Sequence, residues 1–297
     1  TMYFAEPVDW SALGLGLFGI GEGYVLFPKG FPYATFLAAF AYAGAGGNLN
    51  LAQSLYVKEK GYGMGKFSGR ITNILKGKHE DIRLEGFQIE ASHENILRFR
   101  EWWKRINIEH AVVFWITGAF TMLLLTLLAY STVFGNPDVV TSIKFVVLEG
   151  RVIGESTIPA LGTLFLVMAG VMLFGTQFSV LGSNARISSE NLVISNPEKF
   201  KVNNLPKYFY MFLWIQILGG IAIFASGFTE PLALVVTGAV LNAMSMFIYT
   251  GLVLYMNKTV FAKDFGPSLF RFLTVGTAFL FYGAFSVFTI LDKLKLI

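Results

Sequence analysis

Five stretches of this chain, 111–134, 159–181, 208–225, 231–256 and 269–290, carry no aspartate, glutamate or lysine, and a single arginine, Arg271, at the entry of the last. Each is close to the run of about 20 residues that crosses the hydrocarbon core of a bilayer as a helix. Inside lipid the backbone must satisfy its own polar groups, so uninterrupted apolar runs of this length fold as helices. A sixth run, 32–57, is also uncharged but differs in its middle. The chain as a whole, 54% hydrophobic and 14% charged with a mean hydropathy of +0.58, is too apolar and too sparsely charged for a soluble domain. An all-α, multi-pass membrane protein with six transmembrane helices is expected.

The middle of that sixth run reads Tyr42-Ala43-Gly44-Ala45-Gly46-Gly47-Asn48-Leu49-Asn50-Leu51-Ala52-Gln53-Ser54. Two adjacent glycines weaken a helix by about 1 kcal/mol each relative to alanine. The amide and hydroxyl side chains that follow can satisfy backbone groups released by an unwound turn. Broken backbone at membrane depth is tolerated only where it is buried in protein or lines a water-filled cavity. The span therefore reads as a discontinuous helix, the element on which many secondary transporters build their sites. The residues equally allow a continuous helix whose glycines admit a close neighbour.

The rest of the chain arranges itself around this span. Residues 1–31, interrupted by Pro7, Asp9, Gly14, Gly23 and Pro28, read as an outward-facing re-entrant or interfacial connection, with the tail of an earlier helix at 2–5. Residues 58–110 form a polar loop, and 111–290 hold the five remaining spans. Residues 291–297 form a short outward tail. Within the loop, Ile96, Phe99, Trp103 and Ile106 recur at helical spacing among Arg98, Arg100, Lys104 and Arg105, with Ser92 as N-cap. That amphipathic helix suits either the membrane surface or the underside of the bundle. Of the 23 lysines and arginines, 18 fall on the side of the 58–110 loop, which makes that loop cytoplasmic and turns both termini outward. An outward start without a signal peptide predicts an odd number of spans before Thr1, so that the missing N-terminal transmembrane helices would be partners of this part of the protein.

The chemistry is limited by what the spans lack. They hold no carboxylate or histidine, so no proton relay and no intramembrane enzyme is expected. His79, His93 and His110 have no metal-ligand spacing, and no phosphate-cradling Gly-x-x-x-x-Gly-Lys or nucleophile-bearing Gly-x-Ser-x-Gly occurs. The absence of cysteine removes thiolate sites, and basic residues scattered between spans give no nucleic-acid surface. The spans do offer neutral oxygen, which suits hard, partly hydrated cations. Ala45, Gly46, Gly47, Asn48, Asn50 and Gln53 form the dense cluster, and Gln177 and Asn242 are the outlying candidates. The last two serve equally well as interhelical hydrogen-bond partners.

Gly44-Ala45-Gly46-Gly47, Asn50-Leu51, Gln53-Ser54 and the loop Lys60-Gly61-Tyr62-Gly63-Met64-Gly65, taken with Pro7-Val8-Asp9-Trp10 and the run of spans, resemble a divergent branch of the Nramp family of divalent-metal transporters. The likeness covers the chain as the part from the sixth to the eleventh transmembrane helix. It implies the second part of a LeuT-type inverted-repeat fold, with the ion held between the unwound middles of the first and sixth helices. Aligned back from Ser54, the family's methionine falls on Gly46, its proline on Gly47 and its two histidines on Asn48 and Gln53. Without the thioether, selectivity is expected to move from Mn2+ or Fe2+ toward Mg2+. Without the histidines, proton coupling loses its carriers. The first-helix half of the site would lie before Thr1, so this part is not expected to transport alone.

The expectation is thus a secondary transporter or facilitator of divalent cations with no cofactor, whose partners are the bilayer, the ion and the upstream helices. The alternative is a non-transporting assembly subunit or degenerate half-transporter, whose polar residues only join helices. An amino-acid transporter on the same fold is a third reading, since half-helix N-termini bind carboxylates.

Overall fold

The computed structural model describes residues 1, 3–20, 33–42, 46–67, 82, 84, 86, 89–135, 144–228, 231–260 and 263–293. Every regular element among them is helical. In chain order these are α1 (Pro7–Gly16), α2 (Tyr33–Tyr42), α3 (Asn48–Glu59), α4 (His93–His110), α5 (Thr117–Thr132), α6 (Lys144–Ser156), α7 (Pro159–Ser195), α8 (Leu205–Ala225), α9 (Pro231–Thr259) and α10 (Leu269–Lys293). Five helices among the described residues are long and apolar enough to cross a membrane: His93–Thr132, Pro159–Ser195, Val202–Ala225, Ala233–Thr259 and Leu269–Leu291. Large apolar side chains such as Phe174, Phe178, Trp214, Ile221 and Leu280 stand exposed along them. A water-soluble surface does not carry apolar area on this scale, and lipid does accommodate it. The chain has the architecture of a multi-pass membrane protein.

The expected first span, 32–57, is built as two short helices, α2 and α3, of 10 and 12 residues. At about 1.5 Å per residue, neither reaches across a bilayer by itself. Other boundaries move. The helix expected at 111–134 begins at His93, because α4 runs into α5 through a π turn at Ala111–Ile116. Thr117 Oγ1 donates to the Val112 carbonyl five residues back, at 2.9 Å, across that wider turn. His93 and His110 are accordingly helical rather than loop residues, whereas His79 lies outside the described residues. Likewise α7 continues to Ser195, beyond the apolar run that ended at 181. The connection 135–158 contains α6, a helix that its charged residues Lys144, Glu149, Arg151 and Glu155 concealed from a search for apolar runs. At the start of the chain, residues 3–5 form a turn instead of a helix tail, with the Phe4 and Ala5 N–H groups both donating to the Thr1 carbonyl at 3.0 Å. Pro7 then opens α1, and Asp9 accepts the Glu6 N–H at 2.9 Å.

The chain divides into two compact units. The first comprises Thr1–Phe36, Glu109–Thr176 and Glu230–Thr237. In it Thr1 Oγ1 donates to the Leu124 carbonyl and Tyr3 Oη to the Ser156 carbonyl, at 3.3 and 3.4 Å, which ties the start of the chain to α5 and α6. Helices α6 and α7 meet backbone to backbone, since a Cβ on Gly162 would overlap the Gly150 carbonyl.

The second unit comprises Leu37–Ile108, Gln177–Thr229 and Gly238–Ile297. In it the end of α3 is tied to the extension of α7 by two ion pairs, Lys58 with Glu190 at 3.5 Å and Glu59 with Arg186. Those partners explain why α7 continues past its apolar run. Helix α4 starts where the sequence places its cap, Ser92 Oγ accepting the Asn95 N–H at 3.3 Å. Its aromatic face packs on protein: Trp102 stacks on Tyr62 at 6.1 Å, Phe99 meets Phe265 edge-on at 5.1 Å, and the Arg271 guanidinium lies 5.3 Å over Trp103. Helices α9 and α10 interlock where Phe247 stacks on Phe279 at 4.7 Å and abuts Gly283, and α2 joins them through Phe40 on Phe281 at 4.8 Å.

Candidate functional site

Helix α2 is described as far as Tyr42 and α3 begins at Asn48, with Gly46 and Gly47 leading into it. Gly47 adopts φ +58° with ψ −129°, a mirror-image extended conformation that is open to glycine and costs other residues about 1–3 kcal/mol. Its carbonyl and that of Gly46 accept the N–H groups of Asn50 and Leu49, at 3.2 and 3.3 Å, and so start α3. Space is closed at both glycines. A Cβ on Gly46 would overlap the Ala41 carbonyl, and a Cβ on Gly47 would overlap Oδ1 of Asn242. The second contact brings α9 onto the break, which is why the sequence requires glycine there.

Two amides fasten this region to α9. Asn242 Nδ2 donates to the Tyr42 hydroxyl at 3.3 Å, and Asn50 Nδ2 donates to the Tyr249 hydroxyl at 2.6 Å. Asn242 and Tyr249 are seven residues apart, two helical turns, and so share a face of α9. With both amide nitrogens engaged, the carbonyl oxygens of Asn242 and Asn50 are the groups left as acceptors, and that of Asn242 lies directly against Gly47. Gln53 stands one turn beyond Asn50 on α3, and its Nε2 is buried with no hydrogen-bond partner among the described residues.

The N-terminus of α3, at Asn48, carries the partial positive charge of a helix start. No group of three or more histidine, aspartate or glutamate side chains able to hold a metal occurs among the described residues. The nearest charged side chains on α3 are Lys58 and Glu59, more than ten residues along, or about 16 Å at the helical rise. The described groups at the break, the Gly46 and Gly47 carbonyls and the amide oxygens of Asn50 and Asn242, offer an ion contact with neutral oxygens.

Of the candidates read from sequence, the structure brings together Gly46, Gly47, Asn50 and Asn242, with Gln53 on the same helix. Asn48 opens α3, and its side chain lies outside what is described, as does Ala45 entirely. Gln177 is exposed on α7, with no hydrogen bond to the break among the described residues. Gln216 of α8, a further uncharged polar side chain in a span, joins helices instead, its Nε2 donating to the Phe212 carbonyl at 3.1 Å and to the Leu181 carbonyl of α7 at 3.5 Å. Sequence reasoning missed Tyr42 and Tyr249, because a tyrosine in an aromatic-rich span reads as packing. The spacing of Tyr249 from Asn242 was the available signal.

No family model, no curated protein and no solved structure matches the chain.

Proposed function

We propose that this chain forms part of a secondary transporter or facilitator of divalent cations, in which α2 and α3 together make one discontinuous span and the ion sits at its break. The reading takes the chain as the second part of a LeuT-type inverted repeat akin to the Nramp family, with the complementary broken helix supplied from upstream. One observation carries it: the amide oxygen of Asn242 closes on Gly47 where an apolar helix is interrupted. An interrupted helix at membrane depth is costly unless its freed groups serve a ligand or a cavity. The absence of a thioether at Gly46 favours Mg2+ over Mn2+ as cargo.

The test is uptake of Mg2+ and Mn2+ into vesicles by the full-length protein. Wild type is expected to take up Mg2+ in preference to Mn2+. Asn242→Ala, which removes an oxygen without adding bulk, is expected to cut uptake at least tenfold while the protein remains folded and inserted. Equal flux in wild type, Asn242→Ala and Gly47→Leu would overturn the proposal.

The non-transporting assembly subunit remains the second reading, favoured by the two satisfied bonds Asn242 to Tyr42 and Asn50 to Tyr249, which are what helix-joining polar groups make. It expects Asn50→Ala and Asn242→Ala to lower stability with no ion bound by any variant.

A further inference from the structure

Helix α10 carries two buried hydroxyls with an unusual disposition. Ser286 and Thr289 are 5% and 2% exposed, and neither Oγ nor Oγ1 has a hydrogen-bond partner among the described residues. A buried hydroxyl in a membrane helix ordinarily turns back to a carbonyl of the preceding turn. The buried Thr250 of α9 does so at 2.7 Å, and so do the exposed Thr274 and Thr277 of α10 itself, at 2.8 and 3.0 Å. Leaving such a group unpaired costs about 1–3 kcal/mol, so two on one face require a ligand.

Their position indicates which ligand. Phe247 of α9 packs between Phe279 and Gly283 of the antiparallel α10. Counting out from there at about 1.5 Å per residue sets Ser286 level with Asn242 and Thr289 level with Ala239. Tyr282, Ser286 and Thr289 follow one another at four and three residues and share a face. Tyr282 also lies within electrostatic reach of Tyr249, which holds Asn50. A polar stripe thus runs from α3 through Tyr249 along α10 toward Lys293, in a region whose other buried residues include Leu37, Ala41, Ala239 and Ala243. Between Tyr282 and Thr289 the described side chains of the stripe include no carboxylate, and a bare cation in such surroundings would pay several kcal/mol of desolvation. Hydroxyls that both donate and accept match water, as does the unpaired donor Gln53 Nε2.

We propose that Tyr282, Ser286 and Thr289 line a file of ordered water that runs from the level of Tyr249 past the helix break toward the Lys293 end of α10. Its role as the route of a hydrated ion rests on the transport reading above, whereas the water itself does not. The chain has no cysteine, so single cysteines report cleanly. Ser286→Cys, Thr289→Cys and, as control, Thr277→Cys are placed in the full-length protein in vesicles. They are treated with Ag+, which enters narrow aqueous paths and reacts with thiolates, then denatured and labelled with a maleimide. Positions 286 and 289 are expected to be blocked by Ag+ at least tenfold faster than 277. Equal or slower blocking would overturn the proposal. Thr289→Val supplies a second readout, because removing an unpaired hydroxyl from a dry site raises the melting temperature and removing one that holds water lowers it. A rise contradicts the water file. Fast blocking at 286 and 289 in a protein that takes up no ion would retain the file and dismiss transport, and uptake with slow blocking would do the reverse.

Discussion

Gly47 combines two constraints that ordinarily act separately, a positive-φ backbone and a neighbour within van der Waals reach of its Cα. Gly47→Ala is expected to cost at least about 2 kcal/mol, from the mirror-image extended conformation and the displacement of Asn242 together. Gly47→Ala combined with Asn242→Gly should recover the part due to the clash, as measured by denaturation in detergent. The Asn50–Tyr249 bond is a smaller matter. A double-mutant cycle with Asn50→Ala and Tyr249→Phe is expected to give a coupling near the average of about 0.6 kcal/mol found for bonds between membrane helices. Away from the site, burial of Glu149 pushes its carboxyl above the ordinary value of 4.5. The folded state then holds that proton more tightly than the unfolded chain does. Stability from this group is therefore greatest below 4.5 and declines as pH rises through the raised value. Glu149→Gln should match wild type at pH 4 and melt at a higher temperature at pH 8.

At the scale of elements, the α3–α7 junction joins two helices through oppositely ordered charges, Lys58 to Glu190 and Glu59 to Arg186. Because these side chains are partly exposed, each pair is worth no more than about 1 kcal/mol. Glu59→Arg should lower stability by about that amount, and Glu59→Arg with Arg186→Glu should restore it. The same junction shows where sequence reading reaches its limit. Apolar runs located α5 and α7 to α10, since lipid demands such runs, but not where those helices end. A helix continues past the membrane wherever its polar side chains find partners, as Arg186 and Glu190 do. The α6 helix escaped for the same reason, being a charged helix that buries Gly150 and Ile153. The paired glycines followed by Asn-x-Asn allowed an interrupted span or a helix with a close neighbour, and the described residues show a positive-φ Gly47 ahead of α3 with Asn242 closed against it. That Asn242 would close on it, and that Gln177 would not, depended on helix rotation, which a uniformly apolar sequence does not encode.

For the whole molecule, the six spans expected from the sequence would put 18 of the 23 basic residues on one side, the side of the 58–110 loop. Cysteines introduced at 60 and 104 should react with an impermeant maleimide only after cells are permeabilised, and one at 228 without it. Labelling in the reverse pattern would invert the orientation. Cation transport requires more, namely that the neutral oxygens beside Gly47 hold a divalent cation. Equilibrium binding of Mg2+ and Mn2+ to the purified full-length protein, with wild type compared with a folded Asn242→Ala variant, tests that requirement most directly. Saturable Mg2+ binding that Asn242→Ala weakens at least tenfold, with Mn2+ bound no more tightly than Mg2+, is the result expected. Equal binding by both proteins, or none by either, would contradict it.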